Sequence, residues 1–204
     1  MAFNKSVFVQ SLNLLRQERE IKLNAYIGSD RGRAAGLLAA AGVARSTRNR
    51  FLSLLSAPSS KTLRQIAAAF GLGGDEAAAF YALFSPDVIE AGPLRDYVAG
   101  RLEGLDRGGF CIDYQLSDDE LSPFFASDGA RRQRTSQQTL LKLCIAFNLS
   151  RPGGEDMLGR VSCVFATLVD LVCLGCLVNG IYDVDDVFDA YELCFGEGGK
   201  NLYK

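Results

Sequence analysis

Residues 62–72 read TLRQIAAAFGL, and residues 139–149 read TLLKLCIAFNL. The offset is 77 throughout, and Thr62/Thr139, Leu63/Leu140, Ala69/Ala146, Phe70/Phe147 and Leu72/Leu149 are identical. Leu63, Ile66, Ala67 and Phe70 stand at i, i+3, i+4 and i+7, which is one apolar stripe of a helix; the second copy repeats it. A polar stretch leads into each copy, APSSKTL and RRQRTSQQTL, and supplies N-caps at Ser59 or Ser60 and at Ser136. A Gly-rich turn with an acidic pair follows each copy, GLGGDEAAAFYALF and NLSRPGGEDMLGRVSCVF, and opens a further helix. Repetition of a helix together with its surroundings points to an internal duplication.

Working outward, helices are expected near residues 5–27, 33–41, 45–55, 60–71, 75–84 and 92–104. A second series is expected near 109–115, 117–126, 137–148, 154–165, 166–179 and 183–195. No alternating apolar segment comes with a hairpin turn. The fold class is therefore all-α. The segment SPDVIEAGPLRD, residues 85–96, marks a boundary between two helical units, 1–90 and 91–204.

The chain of 204 residues is 48% hydrophobic and 23% charged, the composition of a globular protein. Its net charge is only −2, but the charge is unevenly placed. Residues 1–75 hold 11 Lys/Arg against 4 Asp/Glu, whereas residues 76–204 hold 11 against 20. One half could meet a polyanion, although small domains also differ by a few charges without function. The N-terminus, MAFNKSVFVQSLNLLRQ, threads polar residues through its apolar ones and lacks the pattern of a signal peptide, so a reducing cytoplasm is expected. The six cysteines, Cys111, Cys144, Cys163, Cys173, Cys176 and Cys194, then read as free and mostly buried thiols.

No histidine is present. That removes Ser–His and Cys–His catalysis and the commonest metal ligand. With no phosphate-cradling Gly-rich loop carrying its Lys and no convergent carboxylate pair, the sequence argues against an enzyme, and no cofactor or metal site is expected. Cys173 and Cys176 form a C-x-x-C without a second one at zinc-ribbon spacing, inside an apolar run, and read as core. The run from Val161 to Val178 approaches the length of a membrane span but carries Asp170 near its middle, and reads as a buried helix. Asp183, Asp185 and Asp186 read as a capped helix start rather than a calcium loop. Arg131, Arg132 and Arg134 form a second basic cluster, read as a solvated loop.

Residues 36–52, GLLAAAGVARSTRNRFL, show an apolar helix ending at Ala41-Gly42-Val43 and a new helix starting at once. This is helix-turn-helix spacing, with glycine where the turn needs positive φ. The second helix would present Arg45, Ser46, Asn49 and Arg50, with Arg48 beside them, to phosphates or base edges. Thr47 and Phe51 would face the core. A solvated basic face is the other reading of the same arginines.

These residues resemble the Cro/C1-type (XRE-type) helix-turn-helix family. LNLLRQEREI is similar to its first helix, LLAAAGVARSTRNRFLS to its central motif and PSSKTLRQIAAAFGL to its fourth helix. The resemblance implies a lambda-repressor-like five-helix domain whose third helix enters the major groove of double-stranded DNA through Arg45, Ser46, Arg48, Asn49 and Arg50. It further implies a bacterial or phage regulator acting as a homodimer, with the acidic second unit as interface. The chain departs from the family pattern at Ala44, where a capping side chain is usual, at Arg48, where an apolar one is usual, and in the long link NAYIGSDRGR. Residues 136–160 and 169–197, above all NGIYDVDDVFDAYELCFG, resemble the C-terminal module of small bacterial XRE-like proteins. The second unit would then be a degenerate tandem copy, since its corresponding helix, SDDELSPFFAS, is acidic and contains a proline. A protein-interaction adaptor that keeps the fold without DNA is the alternative function.

Overall fold

The computed structural model describes residues 3–125 and 133–203. The first half of the chain forms α1 (Lys5–Ile27), α2 (Arg31–Ala40), α3 (Arg45–Leu52), α4 (Ser60–Ala69) and α5 (Gly74–Tyr81). The second forms α6 (Arg95–Leu102), α7 (Arg107–Asp113), α8 (Asp118–Leu121), α9 (Gln137–Ala146), α10 (Arg151–Gly159), α11 (Leu168–Asn179) and α12 (Val184–Phe195). The protein is all-α. Among the described residues its only strand pairing is a two-residue antiparallel ladder, Ile89–Glu90 against Arg134–Thr135, which ties the boundary segment to the start of α9. Arg131 and Arg132 lie outside the described residues.

The repeated sequence has repeated local geometry. Ser59 caps α4 by accepting from the Thr62 N–H, and Ser136 caps α9 by accepting from the Thr139 N–H. Both helices end in the same pair of reversed hydrogen bonds: Leu72 N to Ala67 O and Gly71 N to Ala68 O in the first, Leu149 N to Cys144 O and Asn148 N to Ile145 O in the second. The residue in the left-handed conformation is Gly71 in one copy and Asn148 in the other, the two residue types that tolerate it best.

The turn between α2 and α3 also recurs. Gly42 has positive φ and Val43 N reaches back to Leu38 O; between α7 and α8, Gln115 has positive φ and Leu116 N reaches back to Cys111 O. Ahead of it stand GSDRG at 28–32 and GLDRG at 104–108, with Gly28 and Gly104 at positive φ and Asp30 and Asp106 capping α2 and α7.

The copies differ in what covers them. On α4 the outward side chains of Arg64, Gln65 and Ala68 are exposed, whereas on α9 every residue from Thr139 to Phe147 is buried. Helices α10 and α11 pack on α9 and supply the additional cover, with α12 behind α11.

The apolar run read as a buried helix over Val161–Val178 is broken, as the separate helices expected near 154–165 and 166–179 imply. The chain leaves α10 at Gly159, reverses at Ser162, which has positive φ, and runs without helix through residues 163–166. It re-enters helix at Thr167, where Thr167 and Asp170 form a reciprocal capping box. Asp170, read as an oddity within an apolar helix, is the residue that starts it. No helix of the described residues is long and apolar enough to cross a membrane.

Two apolar cores result. The smaller gathers Leu23, Ile27, Leu38, Val43, Phe51, Leu63, Ile66 and Phe80. The larger gathers α6 to α12 and also Phe8, Leu12 and Leu15. Helix α1 thus serves both, its first half in one core and its last turns in the other, so the chain division drawn at residue 90 is not a division between cores. The α1–α11 crossing is close because Gly175 has no side chain: a Cβ there would meet Phe8 Cε2 at 2.9 Å. Phe8 is wholly buried at this crossing. Phe8→Ala is expected to cost about 3–5 kcal/mol, lowering the thermal midpoint by roughly 2–4 °C per kcal/mol in a chain of this size. A calorimetric scan showing a change under about 1 kcal/mol would mean that the crossing contributes little.

Candidate nucleic-acid interface

Helix α3 starts without a side-chain cap, since Ala44 has nothing to offer the first N–H groups. Its side chains divide by helical angle. Phe51 is buried, and Arg45, Ser46, Asn49 and Arg50 are exposed on the arc opposite it. None of these four side chains makes a hydrogen bond or ion pair among the described residues. Thr47, expected to face the core, is half-buried at the edge.

Arg48 stands apart from that face. It is half-buried, and its Nη1 donates to the Val43 carbonyl at 2.8 Å. It therefore satisfies a carbonyl of the α2–α3 turn. The apolar side chain expected at this position is replaced by a long one whose stem packs and whose head closes the turn. Of the five residues singled out from the sequence, the structure groups four on one exposed face and makes the fifth a brace behind it.

Beside this face lies a polar groove of about 270 Å³, lined by Ser46, Thr47 and Arg50 of α3, the loop from Ser56 to Ser59, and Thr62. The N-terminus of α4 opens near it but already holds an anionic partner: the Asp87 carboxylate accepts from the Ser60 N–H at 3.1 and 3.2 Å. An incoming phosphate at that helix end would meet a carboxylate, so in this groove Arg50 is the group that attracts anions.

The corresponding place in the second unit has the opposite character. Helix α8 has four residues, all in a capping box set by Ser117 and Glu120, and Asp118 and Asp119 are exposed. Glu120 turns inward. Its Oε1 accepts from Lys142 Nζ at 3.0 Å and from Thr139 Oγ1 at 3.3 Å, and Lys142 also donates to the Gln115 carbonyl at 2.6 Å. Lys142 is only 1% exposed. Burial alone would raise the Glu120 pKa, but the Ser117 N–H and the Lys142 ammonium outweigh it and hold the carboxyl below its ordinary value. This locks α8 onto α9. The network was not apparent in the sequence, where Lys142 is one polar residue in an apolar stripe. The paired GSDRG and GLDRG segments, at an offset of 76, would have placed α2 and α7 in register and brought it into view.

The remaining residues singled out from the sequence are structural. Asp183 caps α12, accepting from the N–H groups of Asp185 and Asp186. Cys173 and Cys176 are fully buried, with the Cys173 Sγ against the Leu141 carbonyl at 3.6 Å. All six thiols are free. Burial pushes the Cys144 thiol up to about 12 and the half-buried Cys194 thiol to about 11. With iodoacetamide at pH 8, Cys194 is expected to be alkylated first, while Cys144, Cys173 and Cys176 stay unmodified until the protein unfolds. Peptide mass mapping checks this, and early labelling of the C-x-x-C pair would contradict it.

In comparison with known proteins, no family model, no curated protein and no solved structure matches the chain.

Proposed function

We propose that the protein is a sequence-specific DNA-binding regulator of the repressor type, without catalytic activity, and that α3 is its reading helix. One observation carries this: Arg45, Ser46, Asn49 and Arg50 share an exposed face opposite a buried Phe51, with no hydrogen-bond or ion-pair partner for their side chains among the described residues. Two cations with neutral donors and acceptors between them suit a groove in which phosphates flank base edges. The turn geometry ahead of α3, repeated before α8, supports the view that the chain is a tandem helix-turn-helix protein whose second copy has lost the reading face. The resemblance to XRE-type proteins and a cytoplasmic, bacterial or phage setting belong to the same reading.

A regulator of this kind gains affinity by pairing over two half-sites. Val7, Leu14 and Ile21, seven residues apart on α1 and 47, 61 and 70% exposed, form an apolar stripe that a second copy could cover in a homodimer. This stripe is a better interface than the acidic surface of the second unit. The same stripe also supports the alternative reading, an adaptor that binds a different protein and no DNA.

The deciding experiment is capture of genomic DNA fragments by the purified chain over a series of salt concentrations. The regulator reading expects enrichment of particular fragments and an affinity that falls steeply with salt. Absence of any salt-dependent binding would leave the adaptor.

A further inference from the structure

We propose that the seam between the two cores is a binding site for a small amphipathic carboxylate, held by Arg19 and Lys22 over an apolar floor. The seam contains a cavity of about 340 Å³. Its walls come from both sides: Leu15, Arg19 and Lys22 of α1 with Ala82 and Leu83, and Leu158, Phe165, Leu171 and Leu174 with Arg151 and Glu155. The volume lies at the lower end of the ~300–1,000 Å³ usual for ligand pockets, and the mixture of apolar wall and few polar groups is the usual lining.

Arg19 is the unusual member. It is only 5% exposed. Nε donates to the Ala166 carbonyl at 3.0 Å and Nη2 to the Leu83 carbonyl at 2.6 Å, and the cation lies 5.0 Å from the centre of the Phe84 ring. Among the described residues Nη1 has no hydrogen-bond partner. A buried guanidinium with donors to spare, on the wall of a cavity, is an anion site in waiting. Its nearest compensating charge is Asp170, whose own carboxylate is spent on the N–H groups of Ala166 and Thr167 at 2.9 and 2.7 Å. Burial pulls the Arg19 pKa down to about 10, against the pull of Asp170.

The other charges select the ligand. Arg151 is engaged by Glu18 at 2.8 Å and by Glu155 at 3.0 Å, so it is not free for a ligand. That leaves Arg19 and the exposed Lys22 for an anion, with Glu18 and Glu155 close by. A singly charged carboxylate matches this balance, whereas a phosphate dianion would meet the two glutamates. The leucines and Phe165 fit a short aliphatic or aryl body. Binding does not depend on whether the protein binds DNA.

Titration of the full chain with octanoate, 3-phenylpropanoate, octylamine, octanol and inorganic phosphate tests the site, followed by thermal midpoint and by methyl resonances of the leucines. The two carboxylates are expected to saturate, to raise the midpoint and to shift the methyl signals of Leu15, Leu158 and Leu174. The amine, the alcohol and phosphate are expected not to. Lys22→Glu changes an exposed residue that makes no side-chain hydrogen bond among the described residues and acts only through its charge on Glu18, and it should weaken octanoate several-fold with the midpoint close to the parent's. Arg19→Lys should abolish saturable binding, with circular dichroism reporting whether the fold persists. Equal responses to octanol and octanoate, no saturation by either carboxylate, or unchanged affinity in Lys22→Glu would each overturn the proposal.

Discussion

Replacing Arg45 and Arg50 together with alanine is expected to flatten the slope of log K against log salt by about 2, because each phosphate contact contributes about −0.9. At low salt the double variant should lose most of its DNA affinity. Its helical content should stay at the parent value, since both side chains are exposed and neither has a partner among the described residues. Alanine is also the better helix former at both positions. Arg48→Ala is the informative control. It leaves the Val43 carbonyl without its donor, so it should cost about 1–3 kcal/mol of stability while leaving the salt slope nearly unchanged. The two variants thus separate a binding residue from a brace that sits between them on the same helix. A double variant that binds DNA like its parent would remove α3 from the interface and with it the regulator reading.

Lys142→Ala should give the largest loss of stability of any single charged-residue change, about 3–5 kcal/mol, the usual effect of removing one partner from a buried ion pair. It takes the ammonium away from the Glu120 carboxylate, which keeps only neutral donors from Ser117 and Thr139, and leaves the Gln115 carbonyl without that donor. If the loss arises from the unpaired charge rather than from packing, Lys142→Met combined with Glu120→Gln recovers a large part of it. Chemical denaturation of the parent, Lys142→Met, Glu120→Gln and the double variant closes the cycle, and simple additivity would show that the pair is not coupled. The pH dependence follows from the same geometry. Glu120 has a folded pKa below its unfolded one. Its contribution is therefore present above the ordinary carboxylate range and is lost as pH falls through the folded value. The parent should lose this increment on acidification, and Lys142→Ala should show a shallower loss. Asp170 acts in the other direction: burial raises its carboxyl pKa despite the Thr167 and Ala166 N–H groups, so at this residue acidification favours the folded state.

The helices were legible in the sequence because their determinants are local. The 77-residue repeat carries its own caps, its apolar stripe and its left-handed terminal residue, and all of these are present in both copies. The start of α11 was placed near residue 166, two residues before Leu168, but how the chain gets there was not legible: the reversal at Ser162 and the capping role of Asp170, which pairs with the Thr167 hydroxyl, leave no mark in an apolar run. The burial of Lys142 and Arg19 depends on elements 22 and 147 residues away, respectively, which no local pattern records. For α3, spacing alone gave the exposed face. The different role of Arg48 appeared only when its guanidinium was seen to reach back five residues to Val43.

Helix α1 has a consequence for how such a protein can change over time. A duplicated pair of modules usually remains separable, and either copy can be lost, exchanged or fused elsewhere. Here Phe8, Leu12 and Leu15 of the first copy's leading helix fill the interior of the second, and Ala166 of the second lies inside the first. Cutting the chain at residue 90 would leave both fragments with open apolar interiors. The acidic half is thus retained whatever its own surface does: each half is part of the scaffold of the other, and neither can be removed alone.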